Sequence, residues 1–262
     1  MNPDLLFFIE VSLAGLGSGA LLALTALAFV LIYKATRVIN LAVGEILMLG
    51  GYLFFAFAAG LGLSAWLAIP LAIAGGGLVG WVVERGIIRP MLGESPISVF
   101  MVTIGLGSVI VGLTELAFGP NPMSLPQFIP TTPVFIGEAY VSPKILVAFL
   151  VASAVIAVFL LLFRFWRGGV ALRATASDQG AAYVCGIDVP GVFSAAWVIA
   201  CAAAAGSGVL LGSIGGISTT MGIFGLSALV VVIVGGLDPI LGALVGGLAL
   251  APIDSCVNTY FR

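Results

Sequence analysis

"VSLAGLGSGALLALTALAFVLIY", Val11 to Tyr33, runs twenty-three residues without a charged side chain. A helix needs about 20 mostly apolar residues to cross the hydrocarbon core of a bilayer. This run is long enough to be one membrane helix. Asp4 and Glu10 precede it with no basic leader, so it does not read as a cleaved signal peptide.

The rest of the chain agrees. Of 262 residues, 61% are hydrophobic and 8% charged, and the mean hydropathy is +1.29. A soluble domain carries roughly a quarter charged residues, so too little polar surface is available here to solvate a globule. The 36 glycines fit closely packed membrane helices. A net charge of -2 gives no reason to expect a nucleic-acid partner. There is no histidine, which removes the commonest metal ligand and proton shuttle. Cys185, Cys201 and Cys256 are scattered, with neither metal-ligand spacing nor a disulfide pattern.

Further apolar runs are Leu41–Ala59, Leu63–Val83, Val99–Phe118, Ile145–Phe163, Phe193–Leu211 and Ile240–Val257. Between the last two, Ile214–Leu237 reads as one irregular or re-entrant crossing. Gly215, Gly216, Gly222 and Gly225 argue against a regular lipid-facing helix there, and broken backbone at membrane depth must be buried or line water. Asp238 before Pro239 reads as a turn former. The expected fold is an all-α polytopic membrane protein of about eight crossing elements, one of them broken. It forms a single domain over 1–262, with an external loop 119–143 and a cytoplasmic loop 164–190.

Lys34 and Arg37, Arg85 and Arg89, and Arg164, Arg167 and Arg173 follow the first, third and fifth spans. Lysine and arginine collect in cytoplasmic loops, so these three loops are placed inside and the N-terminus outside. Lys144 is the exception, a helix-end lysine able to snorkel.

The longest polar stretch is "ALRATASDQGAAYVCGIDVP", Ala171 to Pro190. At roughly +2.5 to +3.5 kcal/mol each at a helix centre, Arg173, Asp178 and Asp188 outweigh its few aliphatic residues, so it does not cross the membrane. Ser177 or Asp178 can N-cap a short helix through Tyr183–Cys185, and Gly186 can end it in the left-handed conformation. Arg173 and Asp178 flank the turn from a preceding helical segment. The expected product is a compact helix–turn–helix with small residues outward, suited either to docking another protein or to being an ordinary ordered loop.

"LIYKATRVINLAVGEILMLGGY", Leu31 to Tyr52, with that loop and "MGIFGLSALVVVIVGGLDPILGALVGGLAL", Met221 to Leu250, resembles the inner-membrane permease subunits of branched-chain amino acid ABC importers, the LivH-like half in particular. The likeness extends from about Gly15 to Ala251. It implies that the loop is the coupling element docking on an ATPase, through Arg173, Ala174, Thr175, Asp178, Ala181, Ala182, Gly186, Ile187 and Asp188. It also implies a second, LivM-like permease, two ATP-binding subunits and an external solute-binding protein, all at a bacterial inner membrane. No Gly-rich Lys-Ser/Thr loop is present, so no cofactor is expected on this chain, and ATP and Mg are expected on the partner ATPase. Family members usually continue with a further apolar segment, whereas this chain stops at "CVNTYFR". The span count and the side of the C-terminus are left open by that difference.

Candidate path or gate residues are Asn40, Glu45, Glu115, Ser218, Thr219 and Thr220. Asn40 can cap a helix beginning at Leu41. Glu45 sits in that helix's first turns, where an acid suits the dipole, either in polar contact with Lys34 or Arg37 or at a gate or subunit contact. Glu115 lies near the outer end of a span, where a carboxylate is costly and is a functional hypothesis by default. Asp254 is equally ambiguous. Ser218, Thr219 and Thr220 offer hydroxyls beside exposed amides in the broken element. Gly15/Gly19 and Gly242/Gly246 form small-xxx-small faces for tight packing. The expected function is the membrane subunit of an importer for a small amino acid or amide-like solute, not an enzyme. The rival reading is a self-sufficient secondary transporter or channel.

Overall fold

Lacking a polar face, the Val11–Tyr33 run has no side to turn toward water, and a helix apolar all round belongs in an interior. In the computed structural model, which describes residues 3–91, 93–129, 132, 134–136, 139–237 and 240–260, it is the central helix α1, Pro3–Thr36. Leu21, Leu24, Leu27, Leu31 and Ile32 on it are all buried. Around it stand α2 (Val43–Phe55, extended by a π turn Ala56–Gly60), α5 (Pro143–Phe165), α8 (Val189–Gly215), α9 (Gly222–Gly235) and α10 (Ile240–Tyr260), and α3 (Ala65–Val83) packs beyond them on α8 and α2. α4 (Pro96–Phe118) lies outermost, against α2. Two short helices, α6 (Arg167–Ser177) and α7 (Gln179–Val184), link α5 to α8.

The helix starts are written locally. Ser95 Oγ accepts the Ser98 amide (3.2 Å) with Pro96 following, and Pro143 opens α5 behind Ser142, since proline's missing N–H costs nothing in the first turn. α1 ends at Arg37, a left-handed residue (φ 57°) whose amide donates to Tyr33 O (2.8 Å).

Small residues set the packing. An added Cβ at Gly15 would fall 2.7 Å from Pro252 Cα, and at Gly19 3.0 Å from Ala251 Cβ, so the first glycine pair is the α1–α10 seam. Gly246 packs on Val231 O and Gly235 of α9, so Gly242 and Gly246 serve packing as well. Gly76 and Gly80 of α3 bring that helix against Cys201 and Ala205 of α8. In the α1–α8 contact the buried hydroxyls of Thr25 and Ser207 bond to each other (2.9 Å), and Thr25 also donates to Leu21 O (2.9 Å).

Six helical segments among the described residues are long and apolar enough to cross a bilayer: Glu10–Thr36, Val43–Gly60, Ala65–Met91, Ile97–Phe118, Pro143–Phe165 and Val189–Gly215. The chain is a multi-pass membrane protein. The remaining two expected crossings are shorter apolar helices, Thr219–Gly235 and Leu241–Val257.

The irregular stretch is narrower than the sequence suggested. Backbone leaves the helix only from Gly216 (φ +83°) to Met221, and α9 is regular from Gly222 onward. Ile217 and Met123 exchange backbone hydrogen bonds (both 2.8 Å), which satisfies the extended piece. Gly222 and Gly225 are there for close approach rather than for a break, because they face Gly44 of α2 across backbone contact. The Asp238–Pro239 turn lies outside the described residues.

The 119–143 loop also carries a hairpin that the sequence reading lacked: β1 (Val134–Ile136) pairs antiparallel with β2 (Ala139–Val141). The Tyr140 amide donates to Glu10 Oε1 (2.7 Å), so this loop and the start of α1 share one end of the bundle.

Candidate functional site

At the opposite end, the three basic loops converge on the polar segment. Arg37 Nη2 donates to Ala176 O at the end of α6 (2.9 Å). Past α3 the helix widens into a π turn, Glu84–Ile88, and i to i+5 spacing brings Arg89 onto Glu84: Nε–Oε1 2.9 Å, Nη2–Oε2 3.2 Å. Arg89 Nη2 also reaches Pro190 O (3.0 Å) and Ser194 Oγ (2.7 Å), and Ser194 donates to Glu84 Oε2 (2.7 Å). Glu84 is buried, so a charged carboxylate is held in full by neighbours at the foot of α3 and α8. The sequence reading used Arg89 only as a marker of sidedness and missed Glu84. The available signal was an acid and a base five residues apart at a helix end.

The polar segment has the expected capping. Asp178 Oδ1 accepts the Ala181 amide (3.0 Å) and opens α7. Gly186 (φ +84°) closes it, with its amide on Tyr183 O (2.9 Å) and that of Ile187 on Ala182 O (3.0 Å). Arg173 turns away from Asp178 and donates to the carbonyls of Phe163 and Arg164, its guanidinium 5.2 Å above the Phe163 ring. Ala174 O accepts the Asp178 amide (3.0 Å). Thr175 and Ala182 are buried, Ile187 is half-buried, and Asp188 is exposed beside Gly191. The outward surface is therefore not small: Tyr183 (72% exposed) and Val184 (86%) stand out beside Gln179, Gly180 and Ala181, because the alanine periodicity places Ala182 inward.

The second site lies at membrane depth. Between α2 and α4, with Leu226 of α9 at its edge, is a cavity of about 450 Å³ lined by Glu45, Glu115, Thr103, Ser108, Val111 and Ile104, among others. Ile104, Ser108, Glu115 and Leu226 are exposed, so it opens on the flank of the bundle. Glu45 is wedged between two glycines: an added Cβ at Gly107 would lie 3.2 Å from its Cδ, and one at Gly222 3.1 Å from Oε1. Its carboxylate thus meets the first turn of α9, whose dipole favours an anion, rather than Lys34 or Arg37. Thr103 Oγ1 donates to Phe100 O (2.8 Å) and accepts the Leu41 amide (3.2 Å), tying α4 to the start of α2.

Two candidate path residues, Glu45 and Glu115, are brought together here, with Thr103 and Ser108 that the sequence reading did not single out. Asn40 is buried with Oδ1 on the Ala42 amide (3.0 Å); it caps the turn before α2, which starts at Val43 and not at Leu41. Ser218 and Thr220 bond to each other (2.8 Å), and with Thr219 they lie outside the cavity lining. Among the described residues no cluster of acidic or sulfur side chains could hold a metal ion.

A bundle packed around a buried apolar helix, with six segments long and apolar enough to cross a bilayer, is a polytopic helical membrane protein. The chain belongs to the family described as branched-chain amino acid transport system / permease component, whose sequence model matches residues 11–262. It is 28% identical to the high-affinity branched-chain amino acid transport system permease protein LivH of Escherichia coli K12, over 99% of this chain and 89% of that protein. It is 28% identical to the corresponding permease protein BraD of Pseudomonas aeruginosa, over 97% and 87%. A probable permease protein LivH of Methanocaldococcus jannaschii is 27% identical, over 92% and 78%. No solved structure matches.

Proposed function

We propose that this chain is the pore-forming subunit of an ATP-binding-cassette importer for a small amino acid of the branched-chain type, working in a bacterial inner membrane with its N-terminus outside. The named relatives are permease components of branched-chain amino acid systems, which supports the solute class. The observation that carries the reading is the α2–α4 cavity, where Glu45 and Glu115 stand on a flank that also shows the exposed side chains of Ile97, Met101 and Ile104 of α4. Lipid does not solvate carboxylates at that depth, so the flank calls for water and a second permease subunit to cover it. The two subunits then enclose a path, with Val111 and Leu226 toward the solute's aliphatic part and the carboxylates toward its ammonium group.

α9 and α10 complete eight crossings, and the α6–α7 pair docks on a cytoplasmic ATPase, one on each permease. ATP and Mg are bound and turned over on those ATPases, and an external binding protein delivers the solute. Docking is supported by the exposed tip, Tyr183 and Val184, on a rigidly capped base.

The test is uptake of labelled leucine into vesicles holding this chain with the subunits that co-purify with it. The expected result is uptake that needs ATP inside and binding protein outside. Uptake by the chain alone, driven by an ion gradient, would replace this reading with that of a secondary transporter.

A further inference from the structure

Between α1 and α2 the chain makes an irregular link, Arg37 to Leu41, with a contact at each end. At its start, Arg37 Nη2 donates to Ala176 O (2.9 Å), one of the last carbonyls of α6, while the guanidinium lies over the Tyr33 ring (5.6 Å). The closing carbonyls of a helix have no partner within it, and a cation there suits the dipole. At its end, the Leu41 amide donates to Thr103 Oγ1 of α4 (3.2 Å), and both Leu41 and Thr103 line the α2–α4 cavity. One short stretch of chain thus connects the polar segment to the cavity wall.

Two features mark the link as strained. Arg37 is the one non-glycine residue with positive φ (57°) among the described residues, in a region that a Cβ disfavours and that glycine usually fills at such helix ends. An arginine is kept there, and its side chain is what reaches α6. Three residues on, Asn40 Oδ1 accepts the Ala42 amide (3.0 Å), while Asn40 Nδ2 is buried and makes no hydrogen bond among the described residues. Strained backbone persists only where surrounding contacts impose it, and it collects at switch segments. A buried donor without a partner is likewise a reservoir of strain. Helix α4 is free to respond: it packs chiefly on α2, and it is flanked by Gly93 (φ 101°) and Gly119 (φ 82°), where an added Cβ would meet nothing within 4 Å.

We infer that Arg37 is a positioning residue that transmits movement of α6 to the wall of the cavity. Displacement of the Ala176 carbonyl turns the link, and the Leu41 amide carries Thr103 and α4 with it relative to α2. The inference rests on the reading of α6–α7 as the ATPase-docking element and of the cavity as the solute path. Arg37 is not among the residues lining the cavity, so its effect on the solute passes along the link.

Arg37→Gly removes the arm and suits the left-handed backbone, and Arg37→Asn does so with a second residue that tolerates it. The full chain is reconstituted in vesicles with the subunits that co-purify with it, and leucine uptake and ATP hydrolysis are measured on the same vesicles. Both variants should melt close to the wild-type temperature and retain the ATPase. They should nevertheless move about fivefold less leucine per ATP, a factor within the net worth of one hydrogen bond. Thr103→Val interrupts the far end of the link. Contacts in series fail once, so its loss and that of Arg37→Gly should not multiply in the double variant. Unchanged leucine per ATP in both Arg37 variants, or losses that multiply, would overturn the inference while ATP-dependent uptake by the wild type left the importer reading standing. A shared drop in melting temperature and in ATPase retention would overturn it too, by making Arg37 a structural brace. Wild-type uptake without ATP would overturn both.

Discussion

Arg89 holds Glu84 by two hydrogen bonds, of 2.9 and 3.2 Å, and with the same guanidinium grips the carbonyl of Pro190, the second residue of α8. One side chain thus ties the end of α3 to the point where the polar segment enters the membrane. Breaking a buried ion pair by removing one partner costs about 3–5 kcal/mol, because the other charge is left without compensation. Arg89→Ala should therefore lower thermal stability in detergent strongly. Glu84→Gln with Arg89→Met together should cost less than the sum of the single changes, and strict additivity would show that the pair does not act as a unit.

The same latch bears on coupling. If α7 is pushed by a partner, one contact route from it to α3 runs through α8 and this cluster. Arg89→Lys keeps the charge but loses the fork that spans Glu84, Ser194 and Pro190. The expected outcome is an assembled transporter that hydrolyses ATP at a near-normal rate while moving less solute per ATP. Parallel loss of both activities would mark the cluster as merely structural.

Backbone contact makes a sharper prediction about packing. A Cβ at Gly208 of α8 would run into the Leu47 carbonyl of α2, whereas one at Gly60 meets nothing. Gly208→Ala should cost about 1–3 kcal/mol, the usual penalty of overpacking, and Gly60→Ala close to none. Thermal melting of the two variants followed by size exclusion checks both. Equal melting would mean that α2 and α8 have room to part.

For the cavity, Glu115→Gln and Glu45→Gln are expected to lower initial leucine uptake tenfold or more, as the loss of a hydrogen bond to a charged group of about 1.5–3 kcal/mol implies. Glu115 is exposed on the flank, so Glu115→Gln should leave the yield of folded subunit unchanged. Glu45 meets the start of α9, and Glu45→Gln should also loosen that helix. Normal uptake by both variants would remove the cavity from the path.

The sequence made the six long spans legible because a run of some twenty apolar residues admits few alternatives. The capping of α7 was legible because Asp178 and Gly186 act through their own backbone neighbours. What it hid depends on distance across the fold. Thr103 and Ser108 gain meaning only when α4 is laid on α2, and Glu84 only when a π turn delivers Arg89 to it. The break before α9 was overestimated for a related reason: glycine that permits an irregular backbone and glycine that permits close approach look alike until the partner, Gly44, is in view.

That ambiguity recurs at the polar segment and decides how docking should be probed. Ala182 is 4% exposed and packs inward, so Ala182→Trp would unseat α7 whatever it binds, and a failure of transport would carry no information about a partner. Tyr183 and Val184 are the large apolar side chains that α7 presents to a partner. The exposed Val184, if it fills a pocket on an ATPase, contributes about 1.5–3 kcal/mol through burial of its apolar surface. Val184→Asp adds the desolvation of a charge to that loss. It is therefore expected to abolish co-purification of the ATPase while leaving membrane insertion and melting temperature as they were. Tyr183→Ala should weaken the association less completely. Retention of the ATPase by the double variant would move the docking surface away from α7, onto the exposed ends of the neighbouring loops.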